Sequence, residues 1–221
     1  MELTKQQIAF IDNYLKDKGV KYWDIKLELI DHIVSDVEHE INFENKNFDD
    51  AFRYSIEKWK SQLRLSTNWM TGLANSRPKI IIQKAKKIFS KWFILYLLFG
   101  LLPLILNKNT FNGLNELIID SQFIITFVIS SILLISNTLL IFWFLKIDIN
   151  RIKSTYRFLF NSQAFSYLIL TPFIVGEFFY QGGALFLEPW IVSFIGLQAV
   201  SVFFGYQMFK KHHGLFKNKV S

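Results

Sequence analysis

Two hydrophobic periodicities divide the chain. Up to about residue 65, apolar residues recur every three or four positions between polar ones, the spacing of amphipathic helices. Helix one is predicted to start at Thr4, with Gln7 three residues on in a capping-box pattern. Ile8, Ile11 and Leu15 form its apolar face, and Gly19 supplies a stop. Helix two is expected over about Lys21–Ile41. Helix three starts at Asn47 as N-cap, with Asp49 and Asp50 in the first turn, where the helix dipole favours anions. Phe48, Ala51, Phe52, Ile56, Trp59 and Leu63 follow at helical spacing.

Residues 66–77 read as a linker or frayed helix. Pro78 then opens "PKIIIQKAKKIFSKWF", a basic amphipathic stretch expected to lie at a membrane surface and bend into an apolar run. From there the pattern changes to four long apolar runs, about residues 88–106, 123–145, 160–180 and 189–209. Each is near the roughly 20 residues that a helix needs to cross about 30 Å of hydrocarbon. In lipid the backbone must satisfy its own hydrogen bonds, so these runs are predicted as helices rather than strands. Residues 210–221 remain as a basic tail.

Charge gives these spans a direction. Residues 1–70 carry 10 Lys+Arg and 13 Asp+Glu, whereas residues 71–221 carry 15 and 5. The head is acidic and the remainder strongly basic. The cations flank apolar runs, so the high pI is not read as a nucleic-acid signal. Six of them (Arg77, Lys79, Lys84, Lys86, Lys87, Lys91) gather at the start of the first run, and Lys108 alone follows it. Four (Lys146, Arg151, Lys153, Arg157) lie between the second and third runs, none between the third and fourth, and four (Lys210, Lys211, Lys217, Lys219) follow the last. Under the positive-inside rule, both termini face the cytoplasm and loops 107–122 and 181–188 face outward. The expected location is a bacterial inner (cytoplasmic) membrane, multi-pass. Trp92, Trp143, Tyr180 and Trp190 sit near run ends, as interfacial rings do.

Candidate chemistry in the head centres on "DHIVSDVEHE", residues 31–40. At 100° per residue with His32 at zero, Glu28, Ser35, Asp36 and His39 all fall within about 60° of it. Trp23, Ile30, Val34, Val37 and Ile41 fall opposite, the apolar stripe expected to face the core. Glu28, His32, Asp36 and His39 are therefore read as a solvated face and the candidate partner-binding surface. The alternative is a metal set of His32, Asp36 and His39. The two histidines are about 10 Å apart along the axis at about 1.5 Å per residue, so one ion does not take all three without ligands from elsewhere. No metal is assigned on this reading.

"ELIDHIVSDVEHEI" followed by "NFDDAFRYSIEKW" resembles the HAAS-type signalling domain, also met as the prefix domain of some bacterial permeases. Glu28, Asp31, His32, Ile33, Asp36, Asp50 and Ala51 carry the likeness, over about residues 4–65. The family usually closes its third helix with Leu-Gly, where this chain has "EKWKSQL". The resemblance implies a cytoplasmic helical module of regulatory or interaction role fused to membrane helices, and no catalytic residues.

Polar residues within the spans are suspects by default. Asn137 lies mid-way in the second run, Thr171 beside Pro172 in the third, and Gln198 in the fourth. They are read as hydrogen-bonding glue between helices, with a small polar pocket or permeation path as the alternative. Glu177 lies about one turn from an outer end, where it can snorkel. Ser201 and Gly205 form a small-xxx-small step for close packing. The chain has no cysteine, hence no disulfide, thiolate metal site or thiol nucleophile. Its polar, periodic first residues do not read as a signal peptide, and no internal repeat, Gly-rich phosphate loop, HExxH or histidine within an apolar run is seen.

The expected fold is all-α: a small acidic three-helix domain (1–65), a linker and juxtamembrane helix (66–87), four transmembrane helices (88–209) and a tail (210–221). The expected function is a non-enzymatic membrane protein whose head engages a cytoplasmic or membrane protein partner in signalling or assembly, without a cofactor. Its other partners are the lipid bilayer and, as an alternative, a second copy of the chain. A transporter or permease subunit is the second reading, and a membrane metalloenzyme the third.

Overall fold

The computed structural model describes residues 2–67, 76–106, 116, 119–149, 152–164, 176 and 189–220. Among these the chain is all-α apart from two paired dipeptides. It forms two compact units: Met1–Lys87 with Ile152–Thr155 and Leu215–Ser221, and Ile88–Arg151 with Tyr156–Gly214.

The first unit opens with α1 (Lys5–Asp17), α2 (Trp23–Glu44) and α3 (Phe48–Leu63). Local chemistry sets their ends. Thr4 and Gln7 make the predicted capping box, with the Gln7 N–H donating to Thr4 Oγ1 at 3.3 Å and the Thr4 N–H to Gln7 Oε1 at 2.8 Å. Gly19, at φ +80°, lets the chain leave α1 in a left-handed conformation that a β-carbon disfavours. Asn45 does the same for α2 at φ 50°. Asn47 caps α3 by accepting the Asp50 N–H at 2.9 Å.

The core of this unit is Ile11, Leu15, Val20, Ile25, Leu29, Ile33, Val37, Ala51, Ile56 and Leu63. Its buried row on α2 differs from the predicted stripe. Ile25, Leu29, Ile33 and Val37 are buried, whereas Trp23, Ile30, Val34 and Ile41 are half-buried. Both rows are apolar, and they lie on adjacent sides of the helix. A ridge of residues four apart fits between the neighbouring helices α1 and α3. The buried row is centred roughly 80° from His32, not opposite it.

The stretch expected to be linker holds two short strands. β1 (Leu65–Ser66) pairs antiparallel with β2 (Arg77–Pro78), Leu65 opposite Pro78 and Ser66 opposite Arg77. α4 runs unbroken from Lys79 to Ile105. The stretch expected as a juxtamembrane helix and the first predicted span are thus parts of one continuous helix. Ile81, Ile82 and Ala85 are buried and lie within the first unit, so the apolar side of residues 79–87 packs on protein.

In the second unit, α5 (Gln122–Ile149) follows a 3₁₀ turn (Ile119–Ser121). A short helix α6 (Thr155–Leu159) passes into a π-turn (Phe160–Ala164), and α7 runs from Pro189 to Val220. Residues 210–220, expected as a tail, continue α7 as helix. Among the described residues, three helices are long and apolar enough to cross a membrane: Lys79–Ile105, Phe123–Ile149 and Pro189–Leu215. Most of the third predicted span, residues 165–175 and 177–180, lies outside the described residues. Packing between α5 and α7 is tight. Leu133 and Ile191 form one cluster with Ile129, Phe194 and Ile195. A β-carbon added at Gly205 would meet Leu140 Cδ2 at 2.8 Å and Phe160 at 3.2 Å, so the glycine end of the small-xxx-small step is a point of close approach. Large side chains along the other sides stay bare, including Leu104 at 82%, Ile105 at 77% and Phe123 at 73% exposure. Exposed apolar surface on this scale suits contact with lipid.

Candidate functional site

The predicted head face exists as a surface, and each of its residues has a local partner. Glu28 is exposed and accepts from Lys84 Nζ at 2.7 Å. His32 is exposed and stacks on Trp59, ring centroids 5.9 Å apart. Asp36 is half-buried with Lys58 Nζ at 3.7 Å. His39 is exposed and stacks on Phe43 at 4.7 Å. The metal alternative is not assembled, because His32, Asp36 and His39 turn to three different neighbours. Among the described residues no three His, Cys, Asp or Glu side chains converge as ion ligands.

Two features of α2 were not singled out from the sequence. Phe43 is 73% exposed at the end of α2, a ring left for contact beyond the chain's own core. About one turn earlier, on the buried side of α2, Glu40 binds Lys46 at 2.5 Å, with Lys58 at 3.9 Å. Both lysines also stand over the Tyr54 ring, at 4.2 and 4.9 Å. The Lys46 hydrogen bond holds the Glu40 carboxyl below its ordinary value and raises the Lys46 ammonium. On α1, burial pushes Asp12 upward, but hydrogen bonds from Lys16 at 2.7 Å and Lys26 at 2.6 Å outweigh it and leave Asp12 lowered.

A second constellation was invisible along the sequence. Asp24, buried in the first turn of α2, accepts the backbone N–H of Thr155 through Oδ1 at 2.9 Å. In return the Trp23 N–H donates to the Lys153 carbonyl at 2.8 Å. The start of each helix thus supplies the acceptor that the other start lacks, the logic of a capping box spread over two segments. Lys84 Nζ lies 3.5 Å from Asp24 Oδ2 and balances its charge. Ser154 and Thr155 are both fully buried by this contact. Arg77 donates to the Tyr22 hydroxyl and lies over the same ring at 5.3 Å.

The intramembrane candidates divide. Gln198 Nε2 donates to Asn137 Oδ1 at 2.9 Å and to Ser136 Oγ at 3.0 Å, and both Gln198 and Asn137 are buried. The two residues chosen from separate spans therefore meet. Ser201 Oγ also lies 3.2 Å from the Tyr96 hydroxyl, and the Ser193 hydroxyl donates to the Phe99 carbonyl at 2.5 Å, bringing α4 and α7 together. Gln198 Oε1 is buried and accepts nothing from the described residues. Thr171 and Glu177 lie outside the described residues.

No family model matches the chain, and no curated protein or solved structure matches it either.

Proposed function

We propose that this chain is a non-enzymatic, multi-pass protein of the bacterial cytoplasmic membrane, whose helical head docks a protein partner in signalling or assembly. The observation that carries the reading is the make-up of the first unit. It contains Met1–Lys87, Ile152–Thr155 and Leu215–Ser221, the segments that the lysine and arginine count assigns to the cytoplasm. Hydrogen bonds such as Asp24–Thr155 do not form across a bilayer, which supports reading the head and residues 152–155 as lying on one side. The docking role draws on the outer face of α2, where Glu28, His32, His39 and Phe43 are exposed. Stacked rings beside charges are the kind of surface that anchors protein partners. The likeness of residues 4–65 to a HAAS-type domain points the same way.

The test uses the full chain in its native membrane with a photo-crosslinking residue at Ser35, between the two histidines. The reading predicts a discrete protein adduct that weakens when His39 and Phe43 are both changed to alanine. Absence of any adduct, or the same adducts from a probe at Lys5, would contradict it.

A transporter subunit is the second reading, favoured by the buried amide pair and the open acceptor on Gln198. Solute flux in liposomes that Asn137→Leu or Gln198→Leu abolishes would support it.

A further inference from the structure

At the end of α5, Phe142 and Lys146 stand one turn apart, with Ile149 one turn further. On α7, Phe209 and His213 form a matching pair. These five side chains line one groove of about 350 Å³ in the second unit. Lys146 Nζ is held 5.6 Å from the Phe142 ring centre. The His213 ring stacks on Phe209 at 5.8 Å and 14°. The groove therefore has apolar walls, the N–H donors of an ammonium, and an imidazole. Among the described residues no carboxylate lines it. Asp148, the nearest acid in sequence, projects about 200° from Lys146 around the helix and pairs with Arg157, and α7 contains no acidic residue.

We infer that this groove seats the phosphate of an anionic phospholipid, its glycerol and upper acyl carbons lying on Phe142, Ile149 and Phe209. The occupant follows from complementarity. A free anion would meet the donors but leave the rings in water. A neutral lipid would cover the rings but bring no net negative charge to the ammonium. An anionic phospholipid satisfies both surfaces, and juxtamembrane cations attract such headgroups. The inference rests on the membrane reading above, which puts this groove at the cytoplasmic ends of two spans. It adds a ligand site on the lipid-facing side to a protein whose head faces the cytosol.

The experiment reconstitutes the full chain in phosphatidylcholine with phosphatidylglycerol, extracts it gently, and counts retained phosphatidylglycerol by native mass spectrometry. The double variant Lys146→Gln/His213→Gln is compared with Lys86→Gln/Lys91→Gln, which alters two basic side chains on α4. The expected result is about a fivefold or greater loss of retained phosphatidylglycerol for the groove variant, and retention close to wild type for the control. Equal loss in both would overturn the site in favour of diffuse attraction, and no loss in either would overturn it outright. Displacement by glycerol phosphate as effective as by the lipid would overturn the lipid as occupant. Carbonate extraction of each variant separates the two readings. A chain that leaves the bilayer defeats the membrane reading, whereas one that stays inserted yet retains no phosphatidylglycerol defeats this inference alone.

Discussion

The Asp24 carboxylate accepts the backbone N–H of Thr155 at 2.9 Å across 131 positions of sequence. It joins Ile152–Thr155 to the head. Asp24→Leu leaves the Thr155 N–H without its acceptor in a buried place and leaves Lys84 with less counter-charge. A hydrogen bond to a charged group contributes about 1.5–3 kcal/mol. The expected outcome is faster amide exchange at Thr155 and Trp23 and a head less stable by about that amount. Asp24→Asn, which keeps an acceptor, recovers part of it. Unchanged exchange at both amides would contradict the assignment.

Acid should loosen the head. The Asp12 and Glu40 carboxyls are held below their ordinary values of 3.8 and 4.5. Each binds protons more weakly folded than unfolded, so its contribution is complete above the unfolded value and is lost as pH falls through the folded one. Protection factors of α1–α3, corrected for the intrinsic exchange rate at each pH, should fall from about pH 4.5 downward. Lys46→Met should reduce the Glu40 part of that dependence. A head whose protection stays flat down to about pH 3 would contradict it.

The Gln198–Asn137 pair should be measurable as coupling. Unfolding of the single and double leucine variants in mixed micelles gives a cycle whose interaction term is expected at roughly 0.6–2 kcal/mol. Strict additivity would mean that the pair contributes nothing.

Gly196 should not accept a larger residue. A β-carbon there runs into the Phe99 ring, a rigid group beside the Ser193–Phe99 contact. Gly196→Val is expected to destabilise α4–α7 packing by about 1–3 kcal/mol. Gly214→Val serves as the comparison, because a β-carbon at Gly214 would have nothing within 4 Å, and it is expected to cause no packing clash. Equal effects would argue against close approach at Gly196.

Much of the fold was legible because it is written locally. Thr4, Gly19 and Asn47 mark helix ends by their own hydrogen bonds or backbone freedom, and three of the apolar runs coincide with helices of membrane length. The Asn137–Gln198 meeting was approached through depth, since two amides near the centres of neighbouring spans have little else to bond. The core row of α2 was not legible, because Ile25, Leu29 and Ile33 compete with an equally apolar row and only α1 and α3 decide between them. Nor was the Asp24–Thr155 bond, since an acid in a first turn is already explained by the helix dipole. The strands at Leu65–Ser66 and Arg77–Pro78 are too short to leave a period.

The account rests on which side of the bilayer each segment occupies. The chain has no native cysteine, so single cysteines at Ser35, Gly182 and Asn218 can be labelled on intact cells with a membrane-impermeant maleimide. The account predicts labelling of Gly182→Cys alone, with Ser35→Cys and Asn218→Cys reacting only after lysis. Labelling of Ser35→Cys or Asn218→Cys from outside, or a Gly182→Cys that reacts only after lysis, would contradict it.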